Sequence, residues 1–83
     1  MRPFKECFKQ LENNEDSAAE CIHCLKKNGE QILYSDSLKR LIIAREASNP
    51  ELSEYMTRIS ALLEIRSRED YEKADRKFNL TMY

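Results

Sequence analysis

The chain has 83 residues, 35% of them charged, with a formal net charge of −1, one Gly and two Pro. That length holds a single domain over residues 1–83 with a thin core, because a chain this short buries only roughly 60–65% of the surface its unfolded form exposes. The balance of charge excludes the one-signed field that draws a protein to nucleic acid or to an anionic membrane, and the scarcity of Gly and Pro argues against an all-β fold.

Phe4, Cys7, Phe8 and Leu11 follow the i, i+3, i+4, i+7 spacing of one helical face, with Pro3 suited to a first turn. The spacing returns at Ala18, Cys21, Ile22 and Leu25, after the polar stretch Asn13-Asn14-Glu15-Asp16. Ser17 and Glu20 form a capping-box pattern that predicts a new helix at about residue 17. Phe4, Leu11, Ala18 and Leu25 nonetheless stay in phase. One helix from Pro3 to Lys27 therefore competes with two, and the poor helix formers between the stripes favour a break. Asn28-Gly29 is a stop signal, supported by Lys26 and Lys27 at the negative end of the helix dipole.

Ser35-Asp36-Ser37 is read as a cap for a helix over about 36–47 carrying Leu38, Leu41 and Ile42, with Ile32 to Tyr34 as an extended connector. Asn49 at N-cap, Pro50 at the first helical position and Glu51 near the positive dipole end start the next helix. On it Leu52, Tyr55, Met56, Ile59, Leu62 and Leu63 run in uninterrupted helical phase. From Arg66 to Lys77 the chain is densely charged in alternating sign, with Tyr71, Ala74 and Phe78 on a thinner stripe. Leu80 to Tyr83 is apolar without a cap or a period. The fold class expected is all-α: a small antiparallel bundle or hairpin of three to four helices.

Cys21-Ile22-His23-Cys24, with Cys7 upstream, raises zinc, which takes thiolate and imidazole ligands in a tetrahedron. On a helix, however, His23 points about 200° away from Cys21. Cys7 and Cys21 also lie on apolar stripes, where cysteine packs as a small hydrophobe. Cys7, Cys21 and Cys24 are therefore only alternative metal ligands, and no cofactor is expected. Glu20 and Lys27 flank His23 as solvated surface. No Gly-rich loop or nucleophile elbow is present, and every acidic cluster also holds bases, so no catalytic residue is expected. No run of about eighteen apolar residues occurs, so no membrane span is expected. The N-terminus Met1-Arg2-Pro3-Phe4-Lys5-Glu6 lacks the apolar core of a secretory signal. With three cysteines and no export signal, reduced thiols and a cytoplasmic location are expected.

The candidate partner-binding residues are Leu52, Tyr55, Met56, Ile59, Leu62, Leu63 and Arg66, the first six of which could equally pack on Leu38, Leu41 and Ile42 within the monomer. Ile43 and Ile65 fall beside their stripes, which suggests a second buried face. Arg58, Arg66 and Arg68 could meet an acidic partner.

Ser48-Asn49-Pro50-Glu51-Leu52, followed by Glu54-Tyr55 and Ile59-Ser60, resembles the turn of type III secretion needle subunits. The resemblance implies a helical hairpin turning at Ser48 to Pro50, whose flanking helices assemble into a filament or are sequestered by a chaperone. Three cysteines and the charged final helix depart from that pattern.

The function expected is a non-catalytic protein–protein interaction module, a small adaptor or an inhibitor of the kind phages and mobile elements encode. It would present a helix face to a protein partner. The alternatives are a self-assembling structural subunit or secretion chaperone, and a zinc-stabilised helical module.

Overall fold

The computed structural model describes residues 5–81; Pro3 and Phe4 at the expected start of the first helix, and Met82 and Tyr83 of the apolar tail, lie outside the described residues. The elements run α1 (Lys5–Lys9), α2 (Glu15–Lys27), β1 (Ile32–Ser35), β2 (Arg40–Ile43), a 3-10 helix (Ala44–Ser48), α3 (Pro50–Leu62) and α4 (Arg68–Phe78). The all-α expectation is thereby corrected. Among the described residues four helices accompany a two-stranded antiparallel sheet, so the fold is mixed α/β and not a helical bundle.

The first stripe breaks into two helices. Asn14, not Ser17, is the N-cap of α2: its Oδ1 accepts the Ser17 N–H at 2.8 Å. Ser17 reaches backwards instead, its Oγ donating to the Glu12 carbonyl at 3.0 Å and accepting the Glu12 N–H at 2.9 Å. Those bonds hold the connection between the helices. Helix α2 stops where Gly29 predicts. With Gly29 at φ 85°, the Glu30 N–H donates to the Leu25 carbonyl and the Gly29 N–H to the Lys26 carbonyl, which is a Schellman ending.

The helix expected over 36–47 does not form, although its start does. Ser35 Oγ accepts the Leu38 N–H at 3.1 Å, as an N-cap would. The single turn then closes with the Lys39 N–H on the Ser35 carbonyl at 2.8 Å, and Lys39 adopts φ 56°. That left-handed residue returns the chain as a hairpin with Ile32 opposite Ile43 and Tyr34 opposite Leu41. Ile32, Leu41 and Ile43 are buried while Leu33 is exposed, which is period 2 and not 3.6. The strand formers Ile32 and Tyr34 in one run and Ile42 and Ile43 in the other favour this outcome.

Strand β2 packs along α3. Ser60, buried on α3, accepts the Leu41 N–H at 2.9 Å and donates to the Met56 carbonyl at 2.8 Å. Helix α3 begins as predicted, with Asn49 Oδ1 accepting the Glu51 N–H at 3.2 Å. It ends in a second Schellman turn with Glu64 at φ 56°: the Ile65 N–H reaches the Ser60 carbonyl at 2.9 Å and the Glu64 N–H the Ala61 carbonyl at 3.1 Å. Ile43 and Ile65 fell beside their helical stripes because neither is on a helix. One sits on the inward face of a strand and the other leads out of a helix ending, and both are buried.

Ser67 caps α4, its Oγ accepting the Asp70 N–H at 3.1 Å, while Asp70 Oδ2 accepts the Arg66 N–H at 3.0 Å. Past α4, Leu80 is fully buried, and Asp75 receives the Thr81 N–H at 2.7 Å. The described part of the tail is therefore docked.

Candidate interaction surface

The predicted partner-binding residues divide by burial. Leu52, Met56, Ile59 and Leu63 are buried in the common core with Leu25, Leu41 and Ile43, and Leu62 and Tyr55 pack partly buried against it. Tyr55 stacks on Phe8, with ring centroids 4.2 Å apart and planes within 9°. Arg66 is exposed. Of the residues expected to face this stripe, Leu41 does so from β2, Ile42 is half-buried and Leu38 stands out in the hairpin turn. Two of the arginines expected to meet an acidic partner engage their own chain: Arg58 donates to Asn13 Oδ1 at 3.1 Å and Arg68 to Asp36 Oδ2 at 2.7 Å.

The hairpin carries the exposed apolar surface. Among the described residues the exposed large hydrophobic side chains are Leu33 at 47% and Leu38 at 56%, both on it. Leu33 lies opposite the half-buried Ile42, so the two share the outward face. Arg68 places its guanidinium 5.3 Å from the centre of the Tyr34 ring while holding Asp36, and this fastens the start of α4 to the hairpin.

The two edges of the sheet differ. The Ala44 N–H bonds to the Gln31 carbonyl, which makes that pair hydrogen-bonded. By alternation Leu33–Ile42 and Ser35–Arg40 are hydrogen-bonded too, and Ile32–Ile43 and Tyr34–Leu41 are not. The backbone groups of these last four residues therefore point away from the ladder. On β2 the outward N–H groups are closed: that of Leu41 by Ser60 Oγ, that of Ile43 by Glu46 Oε1 at 3.2 Å. Glu46 is fixed in turn by a forked pair with Arg40, at 2.7 and 3.2 Å. The Arg40 hydrogen bond holds the Glu46 carboxyl below its ordinary pKa, against the opposing effect of burial. On β1 no hydrogen bond among the described residues reaches the N–H or C=O of Ile32 or Tyr34, and that edge is open.

The cysteines do not gather around a metal. Cys7 and Cys24 are joined in a disulfide that ties α1 to α2, which corrects the expectation of reduced thiols for this pair. Neither is a thiolate ligand in this structure. Cys21 is the remaining free cysteine, buried, with burial pushing its thiol up to about 12. Among the described residues no group of three or more His, Cys, Asp or Glu could hold a metal ion. His23 faces away from Cys21 as the helical spacing requires, and its Nε2 bonds to the Asn79 carbonyl at 3.1 Å. It lines an open cleft of about 390 Å³ with Gln10, Glu20, Cys24, Lys27 and Asn28. No helix of the described residues is long and apolar enough to cross a membrane.

The open edge was not legible as such, because the reading of 36–47 as helix removed the sheet. A signal was nonetheless present. Ile32 and Leu33, and Leu41 to Ile43, are short apolar runs bracketing a Ser-Asp-Ser turn, a pattern that fits a hairpin as well as a helix. No protein-family model matches the chain, and no curated protein or solved structure is significantly similar to it. The resemblance to needle subunits is not upheld at the level of fold. Residues 48–50 do form a turn into α3, but what precedes them is a strand and a 3-10 helix, not the second helix of a helical hairpin.

Proposed function

We propose that the protein is a non-catalytic protein-interaction module that makes contact through the outer face of its β-hairpin. The observation that carries this reading is that Leu33 and Leu38, the large exposed hydrophobics among the described residues, both stand on that hairpin beside Ile42. The helix face expected to do this work has most of its apolar residues inside the monomer's own core. Exposed leucines contribute little to the fold that bears them, and a partner that covers them gains their burial.

A photoreactive amino acid at position 33 or 38 tests the reading. Irradiated in the protein's own cells, it should trap a protein partner, whereas the same group at the exposed Arg76 on α4 should not. Trapping at neither hairpin position, or equal trapping at Arg76, contradicts the proposal.

A cytoplasmic place of action would ordinarily keep Cys7 and Cys24 reduced, so the disulfide favours an oxidising compartment for the module. Rapid alkylation of thiols during denaturing lysis of cells, which exposes the buried Cys21, followed by mass analysis, decides this point. One reactive cysteine per chain agrees with the oxidised form, and three place the protein with reduced thiols.

A further inference from the structure

We infer that the partner of the open β1 edge is a second copy of this chain, the two β1 strands pairing antiparallel about a two-fold axis at Leu33. This deepens the reading of the hairpin as the contact surface and rests on it.

The edge asks for a strand. Its unpaired groups are the N–H and C=O of Ile32 and of Tyr34, two residues apart as in any antiparallel ladder. A two-fold axis at Leu33 sets Ile32 of one copy against Tyr34 of the other as a hydrogen-bonded pair. All the outward groups of both residues are then satisfied at once. Leu33 meets Leu33 across the axis as a non-hydrogen-bonded pair, where side chains approach most closely, and its exposed surface is covered by its own counterpart. One shift of the strand by a single residue turns these donors and acceptors away from each other, so the register is selected by the edge itself.

Nothing on β1 opposes the pairing. Natural edge strands are protected by lysine, proline, bulges or inward charge, and Ile32-Leu33-Tyr34-Ser35 has no charged residue and no proline. Beside Ile32 the edge opens into a cleft of about 290 Å³ lined by Lys26, Glu30, Gln31 and Thr81. The two-fold brings the second copy's Ser35 and Asp36 to that end. In this register Asp36 of the second copy falls opposite Glu30, and each carboxylate is already held by an arginine of its own chain, Asp36 by Arg68 at 2.7 Å and Glu30 by Arg45 at 2.9 Å. Each end of the joined strands thus gathers charges of both signs.

The other edge limits the assembly. Ser60 and Glu46 close the outward N–H groups of β2, so each copy offers one edge, and an isologous contact through one edge stops at a dimer with a four-stranded sheet.

The experiment is light scattering on the intact chain from about 10 μM to about 1 mM, the range suited to an interface well below the standard ~1,600 Å². The expected result is a monomer that becomes a dimer and nothing larger, with amide exchange slowing at Ile32 and Tyr34 as the dimer forms. Leu33→Lys should weaken the dimer by more than about tenfold by setting like charges across the axis, and Leu33→Glu likewise. An equimolar mixture of the two variants should recover it. Both side chains are at an exposed position, and circular dichroism checks that each variant is folded. A chain that stays monomeric, a dimer indifferent to both variants, or a mixture that fails to pair overturns the second copy as partner. Trapping of a different protein at position 33 or 38 would in that case still uphold the wider reading of the hairpin.

Discussion

Helix α3 and the β-hairpin begin from the same sequence pattern and end as opposites. Leu52, Tyr55 and Met56 are spaced i, i+3, i+4, and so are Leu38, Leu41 and Ile42. In α3 the spacing continues through Ile59 and Leu63 behind an Asn-Pro start, and the stripe becomes the core. In the hairpin the spacing is a coincidence of a short run. Leu41 and Ile43 point inward, Leu38 sits in a turn, and Leu33 faces solvent. A single i, i+3, i+4 triple does not separate helix from strand, whereas a stripe sustained over three turns does. The same contrast bears on function: the region with the strongest apolar pattern closes on itself, and the weaker one leaves surface for another molecule.

The most direct way to break this contrast is truncation on each side of it. Ile59→Ala should cost about 2–5 kcal/mol in urea unfolding, because the buried side chain leaves a cavity. Leu33→Ala should stay within about 0.5 kcal/mol. Comparable losses would mean that the hairpin's outer face supports the fold and is not reserved for a partner.

Reduction separates the two regions in another way. The Cys7–Cys24 bridge spans a sequence separation of 17 and holds α1, with Phe8 on Tyr55, against the rest of the core. Opening it with a dithiol should cost about 3 kcal/mol by restoring freedom to the unfolded chain. In the folded, reduced protein, NMR shifts should move around Phe8 and Tyr55 and hold at Leu33 and Ile42. Shifts spread evenly over both would show the hairpin to be coupled to α1.

Ser60 is where the two regions meet. Ser60→Ala orphans the buried Leu41 N–H and should cost about 1–3 kcal/mol, with faster amide exchange at Leu41. A change no larger than that at an exposed serine would remove this bond from the account of how β2 is held. Glu46 secures the same edge from the 3-10 helix, and its effect depends on pH. Its folded-state pKa lies below the ordinary 4.5, so the native state binds fewer protons than the unfolded one. The stabilisation is complete above about pH 4.5 and is lost as pH falls through the lower folded value. Between about pH 3 and 7 the urea midpoint of Glu46→Gln should therefore fall less steeply than that of the wild type. Parallel acid limbs would place the proton uptake on other carboxylates.

Much of the fold was legible wherever a backbone requirement met the residue type that ordinarily fulfils it. Gly29 ends α2 and Asn49-Pro50 starts α3 because these residues have few other uses at such positions. The hairpin was hidden because Ser35 makes the same hydrogen bond at a helix start and in a tight turn, and the outcome depended on Lys39 taking a left-handed conformation. The disulfide was hidden because Cys7 and Cys24 come together only once α1 folds back on α2. The open edge followed the hairpin out of view, and with it the surface on which the proposed function rests.

The end of α3 shows the same blind spot on the smallest energetic scale. Glu64 occupies the left-handed position that Gly29 occupies at the end of α2, and nothing in its side chain signals a stop. A residue with a Cβ is strained there by roughly 1–2 kcal/mol, while glycine loses part of that advantage to the greater freedom of its unfolded chain. Glu64→Gly should therefore stabilise the protein by up to about 1 kcal/mol. The identical change at Glu54, exposed within α3, should destabilise it by about 0.5–1 kcal/mol. Opposite signs in thermal unfolding would establish that α3 ends through a conformation at residue 64 and not through exhaustion of its apolar stripe. Equal signs would mean that Ile65 reaches the core by another route.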